Sequence, residues 1–242
     1  MKNIAIRLSF DGTNYHGWQI QKNAVSVCGT LQAALEKTVG HRVTLHGCGR
    51  TDAGVHARTY VANFRSDTRI PADKLPMAVQ TGLPRDIVVT EAWGVPDDFN
   101  ATGSVREKEY TYYLYTSPFA DPFLNHRAYH YRFPLDLPKA RAGAAGFVGR
   151  HDFACVRTQG SPVKSTVRTL LKYDIIEEGG LIAFRMRADG FLYNMARALV
   201  GSVLYVNEGK IENVPALIAS GDRGKAGPVL PGYGLYMTDV VY

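Results

Sequence analysis

The chain has 242 residues, 45% of them hydrophobic and 21% charged, which suits one large globular domain or two modest ones. No apolar run approaches the ~20 residues of a membrane span, and Met1-Lys2-Asn3 passes straight into a strand pattern, so neither a span nor a signal peptide is expected. A net charge of +6 favours a polyanionic partner, and three cysteines (Cys28, Cys48, Cys155) form no disulfide framework, which points to a reducing, cytoplasmic setting.

Ile4, Ile6, Leu8 and Phe10 alternate as in a half-buried strand, and Asp11-Gly12 marks the turn that ends it. Leu31, Ala34, Leu35 and Thr38 recur at helical spacing, which predicts a helix from an N-cap at Thr30 to Gly40. Strands are predicted at Val43 to Leu45 and Arg58 to Phe64, a helix after Pro71 through about Gln80, and a strand near Ile87 to Trp93.

A second half opens near Ser104. It holds a β-rich run, Glu107 to Tyr115, then a strand at Ala128 to Phe133 and a helix from Pro138 to Phe147. Strands at Thr166 to Ile176 and Leu181 to Ala188 flank a Glu-Glu-Gly-Gly hairpin signal. A long helix is predicted from Phe191 to Val206, a short one at Val214 to Ala219, and a final strand at Leu235 to Val241. Helices among hairpin-joined strands indicate an α+β fold with largely antiparallel sheets. The expected organisation is two packed halves, residues 1–103 and 104–242, with a cleft between them.

The stretch richest in chemistry is G-C-G-R-T-D-A-G-V-H-A, Gly47 to Ala57. It sets one carboxylate, Asp52, in a short loop between strands, where a rigidly held side chain can meet a ligand. Gly47, Gly49 and Gly54 suit tight backbone and the close approach of a bulky partner. An Asp in such a turn often bonds only its own backbone, but this segment is far longer than a turn requires. His16, His46 and His56 with Cys48 lack a metal-ligand spacing, so no metal is expected. Charge is concentrated in residues 101–200, with 14 Lys/Arg against 9 Asp/Glu, among many aromatics. Basic groups hold phosphates and aromatics stack on unpaired bases.

Three further segments stand beside the Asp52 loop: F-D-G-T-N-Y-H-G-W-Q-I-Q (Phe10 to Gln21), K-E-Y-T-Y-Y-L-Y (Lys108 to Tyr115) and F-L-Y-N-M-A-R-A-L-V-G-S (Phe191 to Ser202). With the closing G-L-Y-M-T-D-V-V-Y they resemble, in order and over nearly the whole chain, the tRNA pseudouridine synthase A family. Phe10 stands where the family usually has Tyr, Tyr193 and Asn194 replace a histidine and polar residues often seen there, and Cys155 replaces a common Ser. None of these departures touches the implied catalytic set.

The resemblance implies isomerisation of uridine to pseudouridine in the anticodon stem-loop of tRNA, at neighbouring positions on its 3′ side, by a homodimer. Uracil N1 parts from ribose C1′, the base turns, and C5 joins C1′. No atoms enter or leave overall, so no cofactor is demanded. Glycoside hydrolysis typically employs a second carboxyl group, which the Asp52 motif lacks. By resemblance Asp52 is the nucleophile; addition to the sugar, addition to the base and assisted elimination all remain open. Tyr110 is the active-site tyrosine, stacking on the uracil and offering a hydroxyl at C5. Arg197 is the active-site arginine, expected to keep Asp52 ionised and oriented. Arg50, Lys108, Lys164 and Arg168 are the substrate-binding candidates, with Arg157 and Arg187 as further phosphate contacts. The rival readings are a noncatalytic tRNA-binding or tRNA-folding protein on this fold, and a nucleoside hydrolase.

Overall fold

The computed structural model of the chain describes residues 1–160 and 163–242. In chain order its elements are β1 (Lys2–Phe10), α1 (Val27–Val39), β2 (His46–Gly47), β3 (His56–Ser66), α2 (Leu75–Gln80), β4 (Ile87–Val95), β5 (Glu107–Thr116), β6 (Tyr129–Tyr131), α3 (Leu137–Ala145), β7 (Gly149–Asp152), β8 (Val167–Glu178), β9 (Leu181–Ala188), α4 (Met195–Asn207), α5 (Val214–Ser220) and β10 (Leu235–Val241). The fold is α+β. Most strand pairings are antiparallel, while β10 on β3 and β6 on β5 run parallel. Among the described residues no helix is long and apolar enough to cross a membrane.

The first unit comprises Met1–Arg106 with Tyr236–Tyr242. Its strands lie in the order β4-β1-β3-β10. The alternation in β1 buries Ile4, Ile6, Leu8 and Phe10 as predicted, with Tyr60, Phe64, Leu31, Leu35 and Leu75 completing the core. The far edge of β3 is shared. β10 takes its start, pairing Tyr236 with His56 and Met237 with Ala57, and β2 takes Ala62 and Asn63 further along. This pairing carries the last strand out of the second half, where the sequence division at 103/104 puts it.

Two local expectations change in this unit. Helix α1 is capped by Ser26, whose side chain accepts from Gly29 N–H, and so starts before Thr30; Gly40 ends it in the left-handed region at φ 79°. Val43 to Leu45 is not a strand, although Val43 and Leu45 are buried. Its first amide donates to Glu36 Oε1 at 3.2 Å, which ties the segment to the end of α1 instead of to a ladder.

The second unit comprises Glu107–Leu235. Its strands lie in the order β5-β9-β8-β7, with β6 on β5. Helix α3 lies on β8 and on α4. Tyr112, Phe147, Phe153, Phe184, Leu199 and Val203 are fully buried in its core. Gly179 and Gly180, both at positive φ, turn the predicted β8–β9 hairpin. Helix α4 begins at Met195, four residues later than the apolar stripe suggests, because Asn194 is left-handed at φ 63° and breaks the ladder there.

Candidate active site

Asp52 lies in the loop joining β2 to β3 and is half-buried. The loop is held mainly by backbone. Cys48 N–H donates to Val61 O at 2.8 Å, and Val55 N–H closes a turn onto Asp52 O at 3.2 Å. Gly54 sits at φ 75°, a conformation that a side chain would strain. Tyr60 donates its hydroxyl to Gly49 O and stacks on Trp18 at 4.2 Å, while Thr102 Oγ1 donates to Gly47 O at 2.6 Å.

The segment from Asp11 to Trp18 lies directly against this loop. Trp18 N–H donates to Thr51 O and Gly54 N–H to Tyr15 O, each at 3.2 Å. Gly12 N–H donates to His56 Nδ1 at 3.0 Å, and the imidazole stacks on Tyr236 at 4.5 Å. A Cβ on Gly12 would fall 2.0 Å from Val55 O, and one on Gly17 2.1 Å from Thr51 O. Both glycines are therefore needed for backbone to meet backbone. The opening motif and the Asp52 motif thus form one structure. The sequence places them some 35 positions apart (roughly three helical elements' worth of chain) and gives no sign of the contact.

In the second unit, Tyr110 projects from β5, paired in register with Met186. Tyr110 is 7% exposed, and its ring meets Phe191 edge-on at 4.9 Å. Lys108, two residues earlier on the same face, is half-buried opposite Ala188. Arg197 stands in the first turn of α4. Its Nη1 donates to Leu230 O at 3.0 Å and its Nη2 to Asn194 Oδ1. Asn194 Nδ2 in turn donates to Thr158 Oγ1 at 2.9 Å. Nearby Tyr112 gives its hydroxyl to Pro231 O at 3.0 Å, and burial holds its pKa well above the usual phenol value.

The remaining cations divide. Arg50, in the first unit, and Lys164, in the second, are exposed and suited to phosphate. Arg168 is half-buried, with Nη1 donating to Ser165 O at 3.0 Å and to Val167 O at 2.6 Å. Arg187 pairs with Glu109 at 3.1 Å and lies 3.7 Å from Glu107, so its charge is met within the protein. Among the described residues no group of three or more His, Cys, Asp or Glu side chains is placed to hold a metal ion.

The family model described as tRNA pseudouridine synthase matches residues 6–102 and 144–242. A tRNA pseudouridine synthase A of Thermoanaerobacter sp. (strain X514) is 43% identical over 244 residues, covering 100% of both chains. The enzyme of that name from Ruminiclostridium cellulolyticum is 41% identical over 245 residues, again covering 100% of both. Among solved structures, a chain of a Cbf5-Nop10-Gar1 complex aligns with 96% of this chain and 57% of its own, at 14% identity and a TM-score of 0.40, too distant to bear on the site. On the family match and the full-length relatives, the chain belongs to the tRNA pseudouridine synthase family.

Proposed function

We propose that the protein isomerises uridine to pseudouridine in the anticodon stem-loop of tRNA, at neighbouring positions on its 3′ side, with Asp52 as the nucleophile. The observation that carries this reading is the presentation of Asp52: a half-buried carboxylate on a loop fixed by backbone hydrogen bonds, within the residues that the family model matches. The net change is a proton lost from C5 and one gained at N1 as the glycosidic bond moves between them. The base must be unstacked to react, at a cost of a few kcal/mol.

Tyr110 stacks on the uracil and serves proton transfer at C5 in this reading, and Arg197 supplies the positive charge that the reacting carboxylate needs. Arg50, Lys108, Lys164 and Arg168 hold the tRNA backbone, which positions the RNA without specifying it. The protein works in the cytoplasm as a homodimer, without cofactor or metal.

A noncatalytic tRNA-binding protein on this fold is disfavoured by relatives that match the chain from end to end under an enzyme's name. Incubating purified protein with unmodified tRNA transcript, without metal or cofactor, tests the proposal. Many pseudouridines per protein, mapped to the 3′ side of the anticodon arm, are expected. No conversion at all would favour a binder. Released uracil would mean a hydrolase.

A further inference from the structure

Asp86 stands just ahead of β4, outside every motif considered above. It is nevertheless spent on the segment that grips the Asp52 loop. Its Oδ1 accepts from Tyr15 Oη at 2.6 Å, its Oδ2 from Asn14 Nδ2 at 3.2 Å, and its carbonyl from Asp11 N–H at 2.9 Å. Tyr15 belongs to both sets of bonds. Its phenol is on Asp86, and its carbonyl receives Gly54 N–H from the loop.

We propose that Asp86 and Tyr15 are a positioning pair that sets where the Asp52 carboxylate stands. Three properties of the contact support this. The Tyr15–Asp86 bond is short, and hydrogen bonds to an ionised carboxylate are among the strong ones. The segment meets the loop backbone to backbone at Gly12 and Gly17, with no room for even a Cβ. A shift of the segment is therefore passed to the loop undamped, since no flexible side chain lies between. Finally, the gripped atoms bracket the nucleophile: Thr51 O lies on one side of Asp52 and Gly54 N–H on the other.

The inference rests on Asp52 being the nucleophile, as proposed above. Misplacement of a reacting group by about 1 Å can cost on the order of 10²-fold in rate. Tyr15→Phe should therefore lower kcat by about 10- to 100-fold while Kd for tRNA stays within about twofold. Asp86→Asn retains an acceptor for the phenol and should lose less than Asp86→Ala. Tyr15→Phe combined with Asp86→Asn should lose little more than Tyr15→Phe, because the bond that Asp86→Asn weakens is already absent once the phenol is gone.

The assay uses the whole protein and a tRNA transcript, with kcat, Kd and the melting temperature read on each variant and on Asp52→Asn. Should Asp86→Ala fail to fold, Tyr15→Phe and Asp86→Asn carry the test. A scaffold role alone would lower the melting temperature and leave kcat per folded molecule at the wild-type value, and that result overturns the pairing. So would weakened tRNA binding with kcat intact. Turnover by Asp52→Asn would instead overturn the assignment of the nucleophile, whatever the pair does.

Discussion

Asn194 holds Arg197 through its side chain while its own backbone is left-handed: its Oδ1 accepts from the guanidinium, and its φ is 63°. The same residue that interrupts the helical ladder thus orients the arginine one turn later. The amide and the φ angle can be separated by mutation. Asn194→Gly keeps the backbone conformation at low cost and deletes the amide, whereas Asn194→Ala also strains the backbone by about 1–2 kcal/mol. Both should lower kcat alike. Only the alanine variant should lose that further increment of stability, read by denaturant titration.

Asp52→Asn should bind tRNA as the wild type does and lose at least about 10³-fold in turnover, since removing a nucleophile removes more than its own contact energy. The check is single-turnover conversion of tRNA in a preparation proved free of host enzyme. Appreciable conversion would refute the assigned role.

Tyr110→Phe keeps the edge-on contact with Phe191 and removes only the hydroxyl. If that hydroxyl moves the C5 proton, kcat falls by about 10²-fold with little change in tRNA affinity. A wild-type rate would strike Tyr110 from the proton-transfer step and leave it as a stacking surface.

Gly17 and Gly40 have nearly equal φ, at 84° and 79°, but opposite surroundings. A Cβ on Gly40 meets nothing within 4 Å, while one on Gly17 would strike Thr51 O at 2.1 Å. Gly40→Ala should cost about 1–2 kcal/mol and leave turnover untouched. Gly17→Ala should cost more and also depress kcat, because the displaced atom adjoins Asp52. Thermal melts beside kcat for the two variants give the comparison.

Cys28 and Cys155 are buried, and burial pushes both thiols up to about 11. At pH 8 about one in a thousand is thiolate, so native protein should resist iodoacetamide that modifies the unfolded chain quickly. A thiol whose pKa is raised by folding stabilises the native state fully below its unfolded value near 9 and loses that contribution as pH climbs toward 11. Stability should therefore decline across that alkaline window, and rapid native labelling would contradict the burial.

Elements with their own periodicity are readable from sequence. Strands β9 and β10 match the predicted ranges, and Gly40 stops α1 where expected. Elements made by their neighbours are not. β7 is the polar stretch Gly149–Asp152, without apolar alternation, and exists because β8 offers it an edge. Phe191 and Leu192, ahead of α4, are apolar at helical spacing to Met195, a pattern blind to the φ of Asn194. The same holds for the site. The Asp52 motif is legible because its glycines and charged groups are contiguous. The grip of Asp11 to Trp18 and the role of Asp86 depend on contacts across the sheet. Arg187, a phosphate candidate by charge, is engaged by Glu109, a partner found only through strand register.

The parallel seat of β10 beside His56 and Ala57 bears on the order of events during synthesis. Translation delivers residues 1–106 early, and domains tend to fold as they emerge. Here the flank of β3 at His56 and Ala57, beside the Asp52 loop, stays open until Tyr236 and Met237 have left the ribosome. The sheet of the first unit is therefore completed only after the second unit has been synthesised.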